Sequence, residues 1–354
     1  MFRHEPDAVH KGLIQTAKNV QKVPGIRSLP KLWSHSNHVL ETKVFGITFR
    51  NPVGLSAGFD KAIEMPKIMR NVGFGWMTGG SVTWGDYEGN EGAWFHRLPK
   101  SKSLVVNAGL PSEGTPVVIE RVRKYDTKLF SDFPLNVSVA KTNSTTSVGD
   151  EAGIKDYCKS LEAFDDLRQV NFLEINISCP NAFGGEPFTS SEQLDKLLAA
   201  VDKLYLAKPV IVKMPINLPI EEFDVLLDVI ATHSVAGVAI GNLLKDRKLA
   251  KLQDPLPDSV KGNLSGKPNK EITTELIRRT YKKFGKELAI IGMGGVMSAE
   301  DAYEKIKAGA SLVALITGMI FEGPQLIGDI NIGLTKLLAA DGYANISEAV
   351  GKAV

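Results

Sequence analysis

The sequence predicts an α/β fold, a (β/α)8 TIM barrel preceded by a short N-terminal helical extension. Three observations carry that expectation. Eight short apolar runs follow one another from residue 53 to residue 316, with helical patterns between them. The runs are continuously apolar rather than alternating, as strands of a parallel sheet covered on both faces are. Each run also ends in a polar residue or glycine, and such barrels place their chemistry at the ends of their strands.

Taken in order, the expected strands are 53–57, 75–78, 135–140, 172–177, 210–214, 237–240, 288–292 and 312–316. Helix punctuation separates them. Ser190 with Gln193 three residues on resembles a capping box, ahead of Leu194, Leu197, Leu198, Val201 and Leu204. Ser298 with Asp301 opens a second helix that closes at Gly309. No linker divides the chain beyond the extension, so the expected organisation is 1–40 as extension and 41–354 as barrel. The connection from 243 to 270 reads as a loop over the barrel mouth.

Composition narrows the function classes. Of 354 residues, 43% are apolar and 23% charged, which suits one large core. Two cysteines, Cys158 and Cys179, are too few for a disulfide framework and fit a reducing compartment. The six histidines show no metal-ligand spacing, and no metal is expected. A net charge of +2 argues against a nucleic-acid partner. The charge is uneven, because residues 1–50 hold eight Lys or Arg against three Asp or Glu. There Val9, Leu13, Ile14, Ala17 and Val20 recur at helical spacing among Lys11, Lys18 and Lys22. Such a basic amphipathic segment can rest on an anionic membrane. The plainer reading, a helix packed on the domain with a solvated outer face, is favoured by these residues alone. No apolar run approaches the roughly 18 residues of a spanning helix.

The strand ends hold the chemistry. Glu174-Ile-Asn-Ile-Ser-Cys-Pro-Asn181 runs from a buried strand into a loop offering Asn176, Ser178, Cys179 and Asn181. Two amides, a hydroxyl and a thiol suit a flat, hydrogen-bonding ligand with a sulfur at one of its atoms. The other ends supply Lys61, Ser81 with Thr83, Ser138 with Lys141, Lys213, Asn242, Gly294 with Gly295, and Thr317 with Gly318. Glycines after the seventh and eighth strands expose backbone amides where such barrels bind phosphate. A mononucleotide such as FMN fits this better than a dinucleotide, whose glycine fingerprint follows a first Rossmann strand. Lys213 ends an otherwise apolar strand, where an ammonium needs an electron-rich partner such as the N1–C2=O edge of a flavin. The bland alternative for Lys213 is an ion pair with Glu174. Ala57, Gly58 and Ser81 would lie against the ring.

With these motifs in place, the chain resembles the dihydroorotate dehydrogenase family from about Phe45 to Gly333. The resemblance rests on Asn51-Pro-Val-Gly-Leu-Ser-Ala-Gly-Phe-Asp-Lys61, the Asn176–Asn181 motif, Lys213, Gly262-Asn-Leu-Ser-Gly266 and Gly292-Met-Gly-Gly-Val296. It implies an FMN barrel that oxidises dihydroorotate to orotate in pyrimidine synthesis. It implies substrate contacts from Lys61, Asn107, Gly109, Leu110, Asn176, Asn181 and Asn242. It implies FMN contacts from Ala57, Gly58, Lys61, Ser81, Ser138, Asn176, Lys213, Gly241, Gly266, Gly294, Gly295, Thr317 and Gly318. Cys179 is the implied base, a thiolate favoured by nearby positive charge, taking the C5 proton as hydride leaves C6.

Two branches of the family mix in this sequence. Lys61 and the N-terminal extension are similar to the quinone-dependent, membrane-associated branch, whereas a cysteine base is similar to the soluble branch. The body therefore implies a quinone acceptor and a peripheral place on the cytoplasmic side of a membrane, the alternative being soluble cytoplasmic. The loop at Asn107 is one residue shorter than the family's, Leu243 replaces a usual hydroxyl, Ser138 a usual asparagine and Ile316 a usual tyrosine. The competing expectations are a related FMN barrel using fumarate or NAD, or acting on another unsaturated ring, and a non-catalytic flavin-binding barrel.

Overall fold

A computed structural model describes residues 4–179 and 188–354. Eight parallel strands close into a barrel: β1 (Val53–Leu55), β2 (Trp76–Val82), β3 (Leu135–Val139), β4 (Phe172–Asn176), β5 (Val210–Met214), β6 (Gly237–Ile240), β7 (Ala289–Met293) and β8 (Leu312–Leu315). They lie in sequence order around the barrel, with β8 pairing back onto β1. All eight coincide with the predicted runs. The main departure is β2, which continues to Val82 and carries Ser81 on the strand itself.

The barrel interior is filled in layers. At its N-terminal end a hairpin, Thr42–Val44 with Ile47–Phe49, closes the bottom. Phe49 meets Trp76 at 6.2 Å and Phe172 at 6.1 Å, and Trp76 lies 5.9 Å from Phe172. Gly54 makes room for the indole, since a Cβ there would fall 2.1 Å from Trp76. Truncating a buried aromatic in such a plug costs about 3–5 kcal/mol. Above this layer the inward residues turn polar, with Asn136 and Ser138 on β3, Glu174 and Asn176 on β4, and Lys213 on β5. That change of polarity marks where core ends and mouth begins.

Helices cover the outside, and the predicted caps form. Ser190 Oγ accepts from Gln193 N at 3.4 Å ahead of the helix Ser191–Asp202. Ser298 Oγ accepts from Asp301 N at 3.3 Å ahead of Ala299–Lys307, while Asp301 Oδ2 accepts from Met297 N in return. The connection 243–270 crosses the mouth, and its short strand Asn263–Leu264 joins Ser103–Val106 and Phe95–Leu98 in a three-stranded sheet.

The N-terminal helix is Pro6–Val20. Ile14 and Ala17 pack against the core, as their spacing predicts, but Leu13 faces outward at 41% exposure. Lys18 pairs with Glu64 at 2.5 Å, and Gln21 Nε2 donates to the Glu64 carbonyl. No helix among the described residues is long and apolar enough to cross a membrane.

Candidate active site at the barrel mouth

Two adjoining cavities open at the C-terminal ends of the strands and share Ala57, Lys213, Asn242, Leu243, Ser265, Ile316 and Thr317. One end is built of backbone. It is lined by Gly241, Gly266, Gly294, Gly295, Thr317 and Gly318. Gly294 and Gly295 have φ of +89° and +75°, and a Cβ on Gly295 would fall 2.5 Å from Lys270 Cβ. Only glycine fits both conditions, so the pair presents bare amides. Ser265 and Thr317 join their hydroxyls at 2.9 Å beside it.

The other end is built of side chains. Gly58, Lys61, Ser81, Gly109, Leu110, Asn176 and Cys179 line it together with Ala57, Lys213 and Asn242. Asn176 and Lys213 are register partners on β4 and β5, which sets them side by side. Glu174 keeps its Oε1 buried and unpartnered, so the Glu174–Lys213 ion pair is not made among the described residues. A hydrogen-bonded relay fixes the amides. Ser138 bonds Ser81 at 2.8 Å, Asn176 Nδ2 donates to Ser81 Oγ at 2.8 Å, and Ser178 Oγ donates to Asn176 Oδ1 at 3.0 Å. Asn242 Nδ2 closes the relay on Ser178 Oγ at 2.5 Å. Each amide is thus held in one orientation before any ligand arrives.

Lys61 is the electrostatic centre of this end. Its Nζ is buried without a hydrogen-bond partner and lies 4.8 Å from the Trp94 ring centroid. Burial pushes its pKa down to about 8, against the pull of Asp7 and Cys179. The preceding Asp60 shapes the loop, its two carboxylate oxygens accepting from Glu64 N at 2.7 Å and Met65 N at 2.8 Å. Burial pushes that carboxyl up to about 6. A desolvated ammonium with no partner is costly, and an anionic ligand would offset the cost.

Three expected positions need comment. Asn107, expected to contact substrate, does not line the cavity. Leu104, Val106 and Ala108 line the cavity, so the two-residue period turns Asn107 to the opposite face. There it accepts from Asn90 Nδ2 at 3.4 Å and lines a separate depression with Asp86 and Glu88. Ser138, expected at the cofactor, does not line the cavity either and stands behind Ser81. Asn181 lies outside the described residues. Of the other strand-end residues, Thr83 bonds its own turn at Gly85 O (2.6 Å) and Lys141 packs beside Gly153.

Sequence reasoning passed over an apolar wall and two polar residues. His10, Phe59, Phe95 and Ile320 line the mouth beside Lys61, with His10 edge-on to Phe59 and Phe95. Burial, reinforced by Lys61, pushes the His10 pKa down to about 4. Asn269 lines the glycine end, and its Nδ2 donates to Asn242 O at 2.6 Å.

The fold and mouth define a (β/α)8 barrel with a glycine-lined backbone pocket at one end and a lysine, amides and a thiol at the other. The sequence profile described as dihydroorotate dehydrogenase matches residues 39–338, and the chain belongs to that family. It is 31% identical to a protein of Synechocystis sp. named dihydroorotate dehydrogenase (quinone), over 99% of this chain and 93% of the relative. A Haloarcula marismortui protein of the same name is 35% identical, over 88% of this chain and 85% of its own. Among solved structures, the enzyme from Eimeria tenella in complex with ferulenol superposes with a TM-score of 0.86 at 26% identity, covering 98% of this chain and 95% of that one.

Proposed function

We propose that this chain oxidises dihydroorotate to orotate in pyrimidine biosynthesis, with FMN bound in the mouth and a quinone receiving the electrons. The observation that carries the reading is the buried, unpartnered Lys61 ammonium in the same cavity as Cys179, Asn176 and Asn242. A small carboxylate with amide edges answers each of those groups. The relatives named as quinone-dependent enzymes support the acceptor.

The residues present fit FMN. The Gly294–Gly295 amides, with Gly266, Thr317 and Gly318, would hold its phosphate, and Ala57, Gly58, Ser81 and Lys213 its ring. When bound, that group supplies acceptance of the hydride leaving substrate C6. Lys61 binds the substrate carboxylate, and Asn176 and Asn242, pre-oriented by Ser81 and Ser178, bind the pyrimidine edges. Cys179 takes the proton from C5 as a thiolate. The apolar wall of Phe59, Phe95 and Ile316 excludes water from that transfer.

The extension, residues 1–40, serves as a peripheral membrane contact. Val23, Ile26, Leu29 and Leu32 are 46%, 47%, 52% and 83% exposed beside Lys22 and Lys31. Apolar groups ringed by cations suit an anionic bilayer surface.

Anaerobic mixing of the FMN-loaded protein with dihydroorotate tests the reading, the expected result being loss of flavin colour without any other donor. One observation favours a different ring as substrate: the outward Asn107 leaves one expected contact unmade. Retained colour with dihydroorotate and bleaching by another dihydropyrimidine would decide for that alternative. Reoxidation with ubiquinone or menaquinone analogues, fumarate and NAD in turn separates the acceptors, with the quinones expected to be fastest.

A further inference from the structure

Behind the glycine cradle lies a lysine for which the chemistry above has no use. Lys305, on the helix Ala299–Lys307, is fully buried. Its Nζ donates to Thr273 Oγ1 at 2.7 Å and to Thr274 Oγ1 at 3.0 Å, and approaches the Lys270 carbonyl at 3.5 Å. The nearest acids are engaged elsewhere, since Lys270 binds Asp301 at 2.5 Å and Glu304 at 2.9 Å. Two neutral hydroxyls do not offset the burial of an ammonium. Burial accordingly pushes the Lys305 pKa down to about 7.

Its location gives that unbalanced charge a purpose. Thr273 Oγ1 lies 3.4 Å from Gly294 O, and a Cβ on Gly294 would sit 3.0 Å from the same hydroxyl. That hydroxyl gives its proton to Asn269 O at 2.8 Å, so the ammonium reaches the backbone of the glycine pair through the packing of Thr273 against Gly294. Lys270, whose Cβ abuts Gly295, turns its own ammonium away toward Asp301 and Glu304. Lys305 is thus a buried cation behind the cradle, in addition to Lys213, which lines the cavity itself.

We propose that Lys305 is a positioning residue for the phosphate end of the mononucleotide site, its buried charge complementing a phosphate dianion that the Gly294–Gly295 amides hold. It acts through the field and through Thr273, without touching the ligand. In a low-dielectric interior such a charge is felt beyond contact distance. The inference rests on the FMN reading and adds that the phosphate, not the ring, is what Lys305 recognises.

FMN and riboflavin differ only by that phosphate, so the ratio of their affinities isolates the effect. Full-length apoprotein is titrated with each by quenching of flavin fluorescence. Lys305→Met is expected to lower the FMN-to-riboflavin affinity ratio about tenfold or more, as losing one buried charge interaction does. Riboflavin affinity and the apoprotein Tm should be unchanged, or Tm higher, because an unpaired buried charge has been replaced by an apolar chain of similar volume. Both affinities falling together, or neither changing, would mean Lys305 only clips two helices and would overturn the inference.

Should Lys305→Met not fold, the pH dependence of the wild-type ratio replaces it. The charged groups facing Lys305 are Lys270 on the neighbouring helix and Asp301 and Glu304 on its own. Lys270 is held above its ordinary range by its hydrogen bonds to Asp301 and Glu304, against burial, and stays charged across pH 7 to 9. The ratio should then fall across that range as Lys305 loses its proton in the apoprotein, and a flat ratio would overturn the inference. Wild-type protein that binds neither flavin would sink the cofactor reading itself, a separate failure.

Discussion

The two ends of the mouth are made of different materials. At the glycine end the ligand-facing groups are main-chain amides fixed by β7, β8 and the turns that follow them, and the lining side chains Ser265, Thr317 and Asn269 pair with other protein groups. At the lysine end the ligand-facing groups are side chains, and the most important, Lys61, is buried with no hydrogen-bond partner. The first end is complete as folded. The second is held in a state that an anion would relieve, which is where differential binding of substrate can act. On the proposed reading, complementarity to a permanent cofactor is built from backbone, and complementarity to a passing substrate from unmatched charge.

The sharpest way to break that contrast is at the thiol. Cys179→Ala should slow flavin reduction by dihydroorotate about 10²–10⁴-fold, the usual worth of a positioned base. FMN content should be unaffected, because Cys179 lies away from the glycine end. Cys179→Ser should recover part of the rate with the pH optimum moved upward, in a stopped-flow pH series. A rate for Cys179→Ala equal to wild type would remove the thiol from the mechanism.

Lys61→Met should come next. Losing one partner of a buried charge-assisted pair costs about 2–5 kcal/mol, so kcat/KM should fall by about 10²–10³. The ligand-free protein should respond in the opposite sense. The Lys61 pKa is lowered to about 8, so between pH 8 and 10.5 the unfolded chain binds more protons than the folded one. Stability therefore rises with pH across that window, by roughly 3 kcal/mol at 1.36 kcal/mol per pKa unit. Chemical denaturation from pH 7.5 to 10.5 should show that gain in wild type and lack it in Lys61→Met. Over the same range KM for dihydroorotate should climb above pH 8, as Lys61 loses the proton that binds the carboxylate.

A weaker effect is expected at the extension. Leu29→Asp with Leu32→Asp removes two exposed apolar side chains, each worth about 1.5–3 kcal/mol if fully buried. Cosedimentation with anionic vesicles should drop at least tenfold while flavin reduction in solution stays unchanged. Equal sedimentation of both proteins would leave the extension as a packed helix alone.

The smallest effect sharpens the comparison most cheaply. Asn107→Ala should change KM for dihydroorotate less than about twofold, as surface substitutions away from special features do. A loss of tenfold or more would mean the loop turns Asn107 into the cavity when substrate binds.

How much of this was legible in the sequence follows the same division. The barrel was readable because continuous apolar runs and Ser-initiated helices speak for themselves locally, and all eight strands and both caps form. The glycine end was readable because a glycine pair just after β7 and Gly318 just after β8 stand where such barrels bind phosphate. The outward turn of Asn107 was not readable because the side-chain alternation of Ser103–Val106 depends on its pairing with Phe95–Leu98 and Asn263–Leu264, contacts distant in the chain. His10 was passed over because its role arises only when the N-terminal helix packs beside Lys61, and nothing in Pro6–Val20 itself shows where that helix lands. Lys305 reads as an ordinary helix lysine until the fold seals it beneath Gly294.

The most direct test of the central claim is a single anaerobic mixing of FMN-loaded wild type with dihydroorotate, followed by flavin absorbance and by orotate formed. Bleaching of the flavin with one orotate per flavin is the predicted result. A protein that holds FMN firmly yet keeps its colour and yields no orotate would contradict it.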